Sequence, residues 1–345
     1  MKAIILVGGE GTRLRPLTYS IVKSMVPVVN RPFMEHVIRK LTSHNINEIV
    51  LAMGYKPDSI FDYFRHGHMQ DIKLTYSLED RPLGTAGAVK HADRHISQTI
   101  FVFNGDIFTD IDLSDMLRFH KEHKAQATIA LTHVEDPTKF GVVETDGDGR
   151  VLRFVEKPPP NKVTSHWINA GIYILEPEVL DRIPQDEFYM FERGVFPSML
   201  EASEPVYAYS SNEYWIDMGT PCNYQQLNFD LLQGRCTSPL YDPDALVDTD
   251  CVIKKSARIE GPVMLGKGCV IDDGVRLEGP SVLGPGCKVK DSAVISGSIL
   301  WEKVVIGRNS SITNSIIAGG AKIKENTRLT DQILNHEIQD RSTGK

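Results

Sequence analysis

No stretch of this sequence stays apolar for the ~18 residues that a membrane-spanning helix needs. Nor does a charged, apolar leader with a small-residue cleavage site precede the first strand-like run. These absences argue against a helical membrane anchor and a secretory signal, and the expectation is a cytoplasmic protein with no membrane partner. Cysteine is sparse: five residues, an odd number, and no C-x-x-C pair, so neither a disulfide framework nor a zinc site is suggested. A basic surplus is missing too. With a net charge of −7 the chain has no reserve of cations to track a nucleic-acid backbone. A small phosphorylated ligand held by a few local cations is still compatible with that balance. What is present is ordinary for a globular protein, 41% hydrophobic and 24% charged, and 345 residues are enough for two domains.

The first feature with chemistry in it runs from Leu6 to Thr18. An apolar run of Ile4, Ile5, Leu6 and Val7 breaks off into Gly8, Gly9 and Gly11, followed by Thr12, Arg13 and Arg15. Glycines let backbone N–H groups approach a phosphate or a flat base, and arginine matches phosphate oxygens in geometry. An ordinary glycine-rich turn reads the same way from this loop alone. Two familiar phosphate loops do not fit. No Gly-Lys-Ser/Thr follows, and the third glycine of G-x-G-x-x-G is Leu14. The acidic residue that closes the second strand of dinucleotide folds is also missing, since Met53, Gly54 and Tyr55 stand there.

From residue 1 to about 235 strand-like and helix-like patterns alternate. Strands are expected at Glu48–Met53, Lys73–Leu78, Thr99–Phe103 and Thr128–Thr132, with helices at Met34–His44, Pro57–Arg65, Thr85–Ile96 and Leu113–His123, the last capped by Asp112. This alternation predicts a doubly wound, mostly parallel α/β sheet, in which ligands bind beyond the carboxyl ends of the strands. The glycine loop follows the first strand, Glu79–Gly87 the third, and Asn104-Gly105-Asp106 the fourth. Asp106 is placed to hold a hard divalent cation, although Asn-Gly-Asp is also a turn sequence. Beyond residue 135 the alternation loosens. Phe140–Glu144 and Arg150–Glu156 read as a hairpin, Asn169–Leu175 as a strand, and Glu213–Thr220 brings a second acidic residue, Asp217, which alone could equally cap the helix that follows.

These segments together resemble the sugar-1-phosphate nucleotidyltransferase family. The matches run in the family's order: Gly8-Gly9-x-Gly11-Thr12-Arg13-Leu14-x-Pro16, Lys23-x-Met25-x-Pro27-Val28, Leu83-Gly84-Thr85-Ala86, Asn104-Gly105-Asp106, Phe140-Gly141-Val142-Val143, Glu156-Lys157-Pro158, Asn169-Ala170-Gly171-Ile172-Tyr173 and Trp215-Ile216-Asp217-x-Gly219-Thr220. The resemblance implies a Mg²⁺-dependent enzyme whose partners are a nucleoside triphosphate and a sugar-1-phosphate. It assigns the metal to Asp106 and Asp217, the triphosphate charge to Arg13 and Lys23, and the sugar's phosphate to Lys157. Glu156, Asn169 and Gly141 would meet sugar hydroxyls. Leu6, Gly8, Gly9, Gly11, Thr12, Gly84 and Thr85 would line the nucleotide. The wording of the loops looks most like mannose-1-phosphate guanylyltransferases. Thymidylyl- and uridylyltransferases of glucose-1-phosphate share the same sites, and a non-catalytic nucleotide-sugar-binding subunit is the alternative of another class. One departure is Ser24, where the family usually has proline, and it bears on the placement of Lys23.

The last third keeps a beat of six. Val247, Ile253, Ile259, Leu265, Ile271, Leu277, Leu283, Val289 and Ile295 are followed, after a five-residue step, by Leu300, Ile306 and Ile312, and after another by Ile317, Ile323 and Leu329. Such a period marks a β-solenoid with three six-residue faces per coil. Cys251, Cys269 and Cys287, 18 residues apart, then share one small inward position, as buried packing residues rather than a disulfide. The pattern resembles hexapeptide-repeat, left-handed parallel β-helix domains. Some of those are acyltransferases with a histidine base, but residues 247–330 contain no histidine, so the expected role is homo-oligomerisation or regulation. The expected organisation is a catalytic domain at 1–235, a linker at 236–246, a β-helix at 247–332 and a tail at 333–345.

Overall fold

The computed structural model describes residues 1–54, 58–65, 72–92 and 96–335. Tyr55, the expected helix start at Pro57, the end of the Thr85–Ile96 helix at 93–95 and the tail beyond Asn335 lie outside them. The chain forms two compact units. One comprises Met1–Glu10 and Val37–Asp217; the other comprises Gly11–His36 and Met218–Lys345. The division falls inside the glycine loop, and α1 (Phe33–Ser43) carries the chain from the second unit to the first.

The first unit is built on a nine-stranded sheet. Four parallel strands form one half: β1 (Lys2–Leu6), β2 (Glu48–Met53), β3 (Lys73–Leu78) and β4 (Ile100–Asn104), in the order β4-β1-β2-β3. Ile4 and Ile5 are fully buried on opposite faces of β1, which is why this strand reads as a continuous apolar run. The connecting helices α2 (Asp58–Arg65) and α3 (Gly84–Ala92) follow β2 and β3, and α4 (Leu113–Glu122) is capped as expected, with Ser114 and Asp115 N–H donating to Asp112.

After β5 (Ile107–Thr109) and β6 (Ala127–His133) the sheet becomes mixed. The hairpin β7 (Gly141–Thr145) and β8 (Val151–Glu156) is antiparallel, and β9 (Trp167–Leu175) runs antiparallel to β4, β6 and β7. Past α5 (Phe196–Glu201), β10 (Val206–Ser211) returns parallel to β6. This is where the sequence loses its strict strand-helix alternation. Tyr173, Phe191 and Phe196 fill the core beneath this half, all fully buried. Finally β11 (Trp215–Asp217) pairs with β5 in a separate two-stranded ladder.

The second unit holds α6 (Pro221–Leu232) and a three-sided parallel β-helix, three sheets of five short strands each. Successive coils pair at first at an offset of 18 residues, as in Val252↔Val270, Ile271↔Val289 and Leu277↔Ile295. From Val282↔Ile299 onward the offset is 17, so the two five-residue steps in the beat are the shortened coils. Leu265, Ile271, Leu277, Leu283, Val289, Ile295, Leu300, Ile306, Ile312 and Ile317 are all fully buried. The three cysteines carry free thiols at equivalent positions, donating to the carbonyls of Gly266, Gly284 and Trp301 at 3.3, 3.2 and 3.0 Å. Cys269 and Cys287 are buried, while Cys251, on the first coil, is partly covered.

Candidate active site

In the first unit the carboxyl ends of β1, β2, β3 and β4 align, with Leu6 in register with both Ala52 and Asn104. The strand order reverses at β1, whose neighbours β2 and β4 lie on opposite sides, and such a switch point opens a crevice for ligands. Gly8 and Gly9 leave β1 here as exposed backbone. A Cβ on Gly9 would meet nothing within 4 Å, and one on Gly8 would stand 3.9 Å from a Glu79 carboxylate oxygen. Glu79 accepts from the Leu83 N–H at 3.0 Å, and burial raises its pKa above the ordinary carboxylate value. It thus fixes the turn into α3. Gly84 lies against the Tyr189 carbonyl, and the Ala86 and Gly87 N–H groups donate to that oxygen at 3.0 and 3.1 Å.

Beyond β4, the Gly105 N–H donates to the Leu6 carbonyl at 2.9 Å. A Cβ at Gly105 would come within 2.5 Å of that oxygen, so only glycine permits this approach. The turn places Asp106 between β4 and β5. In the ladder of β5 and β11, Asp217 is in register with Ile107, the chain neighbour of Asp106. Two acidic residues distant in sequence therefore occupy neighbouring backbone positions. Asp217 belongs to a strand; the cap of α6 is Thr220, which accepts from the Asn223 N–H at 3.2 Å. No group of three or more His, Cys, Asp or Glu gathers as a metal cage among the described residues. Two carboxylate donors would suit a hard divalent cation such as Mg²⁺, which prefers oxygen ligands.

The remaining expected residues of this unit gather around β8 and β9. Glu156 lies with its carboxylate against the bare Cα of Gly141, where a Cβ would stand 2.9 Å from Oε2. The Lys157 ammonium is 3.6 Å from Glu156 Oε1 and largely exposed. Burial raises the Glu156 pKa, Lys157 opposes that rise, and Glu192 adds to it. Asn169 is held at both ends of its amide, accepting from the Gly171 N–H at 2.9 Å and donating to the Tyr173 hydroxyl at 2.7 Å. Tyr173 in turn donates to Glu192 at 3.2 Å, and Thr85 donates to the other Glu192 oxygen at 2.8 Å. Burial pushes the Tyr173 hydroxyl well above its ordinary pKa, so it stays a donor.

Sequence reasoning missed Glu192 and the role of Tyr173. Their partners lie far away in the chain, and nothing local marks Glu192 as buried. The Thr85 hydroxyl donates to Glu192 and accepts from the Phe191 N–H at 3.0 Å.

The second unit carries the rest of the loop, with Gly11, Thr12 and Arg13, and also Lys23. Gly11 adopts φ +64°, and a Cβ there would stand 2.9 Å from the Lys23 Cβ. The Thr18 hydroxyl donates to the Gly11 carbonyl at 2.8 Å, closing the loop on itself. Lys23 opens a short 3₁₀ turn, Lys23–Met25, in which the Met25 N–H donates to Val22 at 2.9 Å. Proline at 24 would disfavour the helical geometry of the preceding lysine, and serine removes that restriction. Ser24 itself is buried at 4% exposure, with no hydrogen-bond partner for its hydroxyl among the described residues.

Comparison with known proteins identifies the family. Residues 2–234 match the nucleotidyl transferase family, and residues 244–339 match the LbH domain of the EIF2B epsilon subunit. A probable mannose-1-phosphate guanylyltransferase 2 of Arabidopsis thaliana is 37% identical, over 98% of this chain and 100% of its own length. The mannose-1-phosphate guanylyltransferase of Mycobacterium tuberculosis is also 37% identical, over 77% of this chain and 75% of its own. Among solved structures, HddC from Yersinia pseudotuberculosis is similar at TM-score 0.58 and 29% identity, covering 66% of this chain and 97% of HddC. It has also been solved complexed with GMP-PN. No helix among the described residues is long and apolar enough to cross a membrane. The chain belongs to the nucleotidyl transferase family.

Proposed function

We propose that this chain is a mannose-1-phosphate guanylyltransferase, joining GTP and mannose-1-phosphate to GDP-mannose and pyrophosphate. A phosphate oxygen of the sugar-1-phosphate attacks the α-phosphorus of GTP, the bond from that phosphorus to the β-phosphate oxygen breaks, and pyrophosphate leaves. No covalent enzyme intermediate is needed. Catalysis is positioning plus charge stabilisation. The observation that supports this reading is the β5–β11 ladder, in which Asp217 is in register with Ile107, the chain neighbour of Asp106.

Asp106 and Asp217 hold Mg²⁺ in this reading, and the ion supplies charge neutralisation to the phosphates when bound. Arg13 and Lys23 neutralise the triphosphate and the departing pyrophosphate. Lys157 takes the phosphate of the sugar, while Glu156, Asn169 and Gly141 meet its hydroxyls. Leu6, Gly8, Gly9, Gly11, Thr12, Gly84 and Thr85 line the nucleotide. Support for the sugar end comes from the fixed amide of Asn169 and the half-buried Glu156 carboxylate beside an exposed lysine. The names of the relatives favour guanine and mannose. Residues 1–235 act as the catalytic domain and 247–332 as the β-helix domain. Self-association through the β-helix belongs to the same proposal, and light scattering on the full chain reads it.

The test is a matrix of nucleoside triphosphates against mannose-, glucose- and N-acetylglucosamine-1-phosphate, read by pyrophosphate release with Mg²⁺ present. Highest kcat/KM for GTP with mannose-1-phosphate is expected. A preference for dTTP or UTP with glucose-1-phosphate would reassign the substrates, and binding without turnover in every pair would favour a non-catalytic subunit.

A further inference from the structure

Within the second unit, the segment that carries Lys23 is fastened to the β-helix through two aromatic side chains. The indole N–H of Trp301 donates to the Tyr224 hydroxyl at 2.9 Å, and that hydroxyl donates to the Pro27 carbonyl at 2.6 Å. Tyr224 on α6 is fully buried and Trp301 is 5% exposed. The Trp301 backbone is itself fixed by adjacent coils: its N–H donates to Ile317 at 2.9 Å, and its carbonyl accepts from the Cys287 thiol at 3.0 Å. Pro27 follows the Lys23–Met25 turn after one residue, Val26, whose N–H donates to the Lys23 carbonyl at 3.2 Å.

The same stretch contains strain. Pro27–Val28 and Arg31–Pro32 pair as a small hairpin whose tip places Val29 at φ 40° and Asn30 at φ 65°. A β-branched residue in the left-handed region persists only where its surroundings fix it. Here the Val29 N–H donates to the Asn228 side chain at 2.8 Å, Asn228 donates to the Tyr224 carbonyl at 2.8 Å, and Asn30 donates to the Leu283 carbonyl of the β-helix at 3.1 Å. His36 adds a bond from Nε2 to the Val28 carbonyl at 3.0 Å, in the tautomer that lets Nδ1 accept from the Ser238 hydroxyl at 2.6 Å. Burial lowers its pKa to about 4, which keeps the ring neutral.

We propose that Trp301 and Tyr224 are positioning residues for Lys23, so that the β-helix sets the geometry of the triphosphate-binding cation. This rests on the assignment of Lys23 to the triphosphate. Trp301 acts through Tyr224: its N–H occupies the phenol oxygen and directs the phenol proton to Pro27. Removing the hydroxyl breaks both bonds, whereas removing the indole N–H only frees the hydroxyl to turn.

The test uses full-length Tyr224→Phe, Trp301→Phe and the double variant, each first checked for a cooperative melt. Two readouts are taken: amide exchange at Met25 and Val26, and KM for each substrate. Faster exchange at both amides is expected, with KM for the triphosphate rising about tenfold in Tyr224→Phe and about threefold in Trp301→Phe. KM for the sugar phosphate should hold, and the double variant should match Tyr224→Phe alone. Unchanged exchange, equal rises for both substrates, or additive effects would each overturn the proposal. Exchange is measured without substrate, so it decides the fastening even if the wild-type protein turns over no pair and the functional reading fails.

Discussion

The Gly105 N–H donates to the Leu6 carbonyl at 2.9 Å, and a Cβ on Gly105 would stand 2.5 Å from the same oxygen. The backbone of the acidic turn is thus pressed against the end of β1. Gly105→Ala must move one of the two chains, and both belong to the core of the sheet. We expect a loss of about 1–3 kcal/mol in stability and a drop of about 100-fold in kcat, because a misplaced Asp106 loses its alignment. Thermal melts and steady-state kinetics on the same preparation check both.

Glu156 gives a pH dependence with a definite sign. Its pKa is raised in the folded state, chiefly by burial, with Lys157 opposing. The folded protein therefore holds this proton more tightly than the unfolded chain. The associated stability is fully present below the unfolded pKa and is lost as pH rises through the folded one. Glu156→Gln removes this dependence. Its Tm relative to wild type should rise as pH increases from the ordinary glutamate pKa through the raised folded one, and KM for the sugar phosphate should increase. A Tm difference independent of pH would contradict the assignment.

Thr85 separates two uses of one residue. With its hydroxyl committed to Glu192 and the Phe191 N–H, Thr85→Val leaves a buried acceptor and donor unmatched. The expected cost is about 1–3 kcal/mol. Because Glu192 also takes the Tyr173 hydroxyl that holds Asn169, KM for the sugar phosphate should rise more than KM for the triphosphate. Kinetics with each substrate varied in turn give the comparison.

Ser24 is a site for gain. Its buried hydroxyl has no partner among the described residues, and Ser24→Ala removes a polar group without opening a large cavity. Stability should rise by about 1 kcal/mol, measured by denaturant midpoint, with turnover retained.

The positions of several candidate residues were legible because they follow the ends of buried strands. Ile4 and Ile5 mark β1, and the residues past its end could be read as a loop before any fold was known. The shortened coils were legible as well, since each five-residue step in the aliphatic beat is one residue removed from a face. Asp217 was ambiguous because a cap and a strand end look alike in sequence; the ladder with Ile107 and the cap at Thr220 resolve it. Glu192 was not legible. Its burial depends on Thr85 and Tyr173, which only the folded chain brings to it. The tie from Trp301 through Tyr224 to Pro27 was equally hidden, because an aromatic beside an aliphatic beat looks like packing alone.

Everything proposed for the reaction depends on Asp106 and Asp217 together holding the metal that serves the transfer. Pyrophosphate release from GTP and mannose-1-phosphate in Asp106→Asn, at saturating substrates and over a Mg²⁺ titration, tests this. A loss of about 1,000-fold or more in kcat is expected, with the melting temperature of the variant close to that of wild type. Turnover at the wild-type rate with an unchanged Mg²⁺ dependence would contradict it.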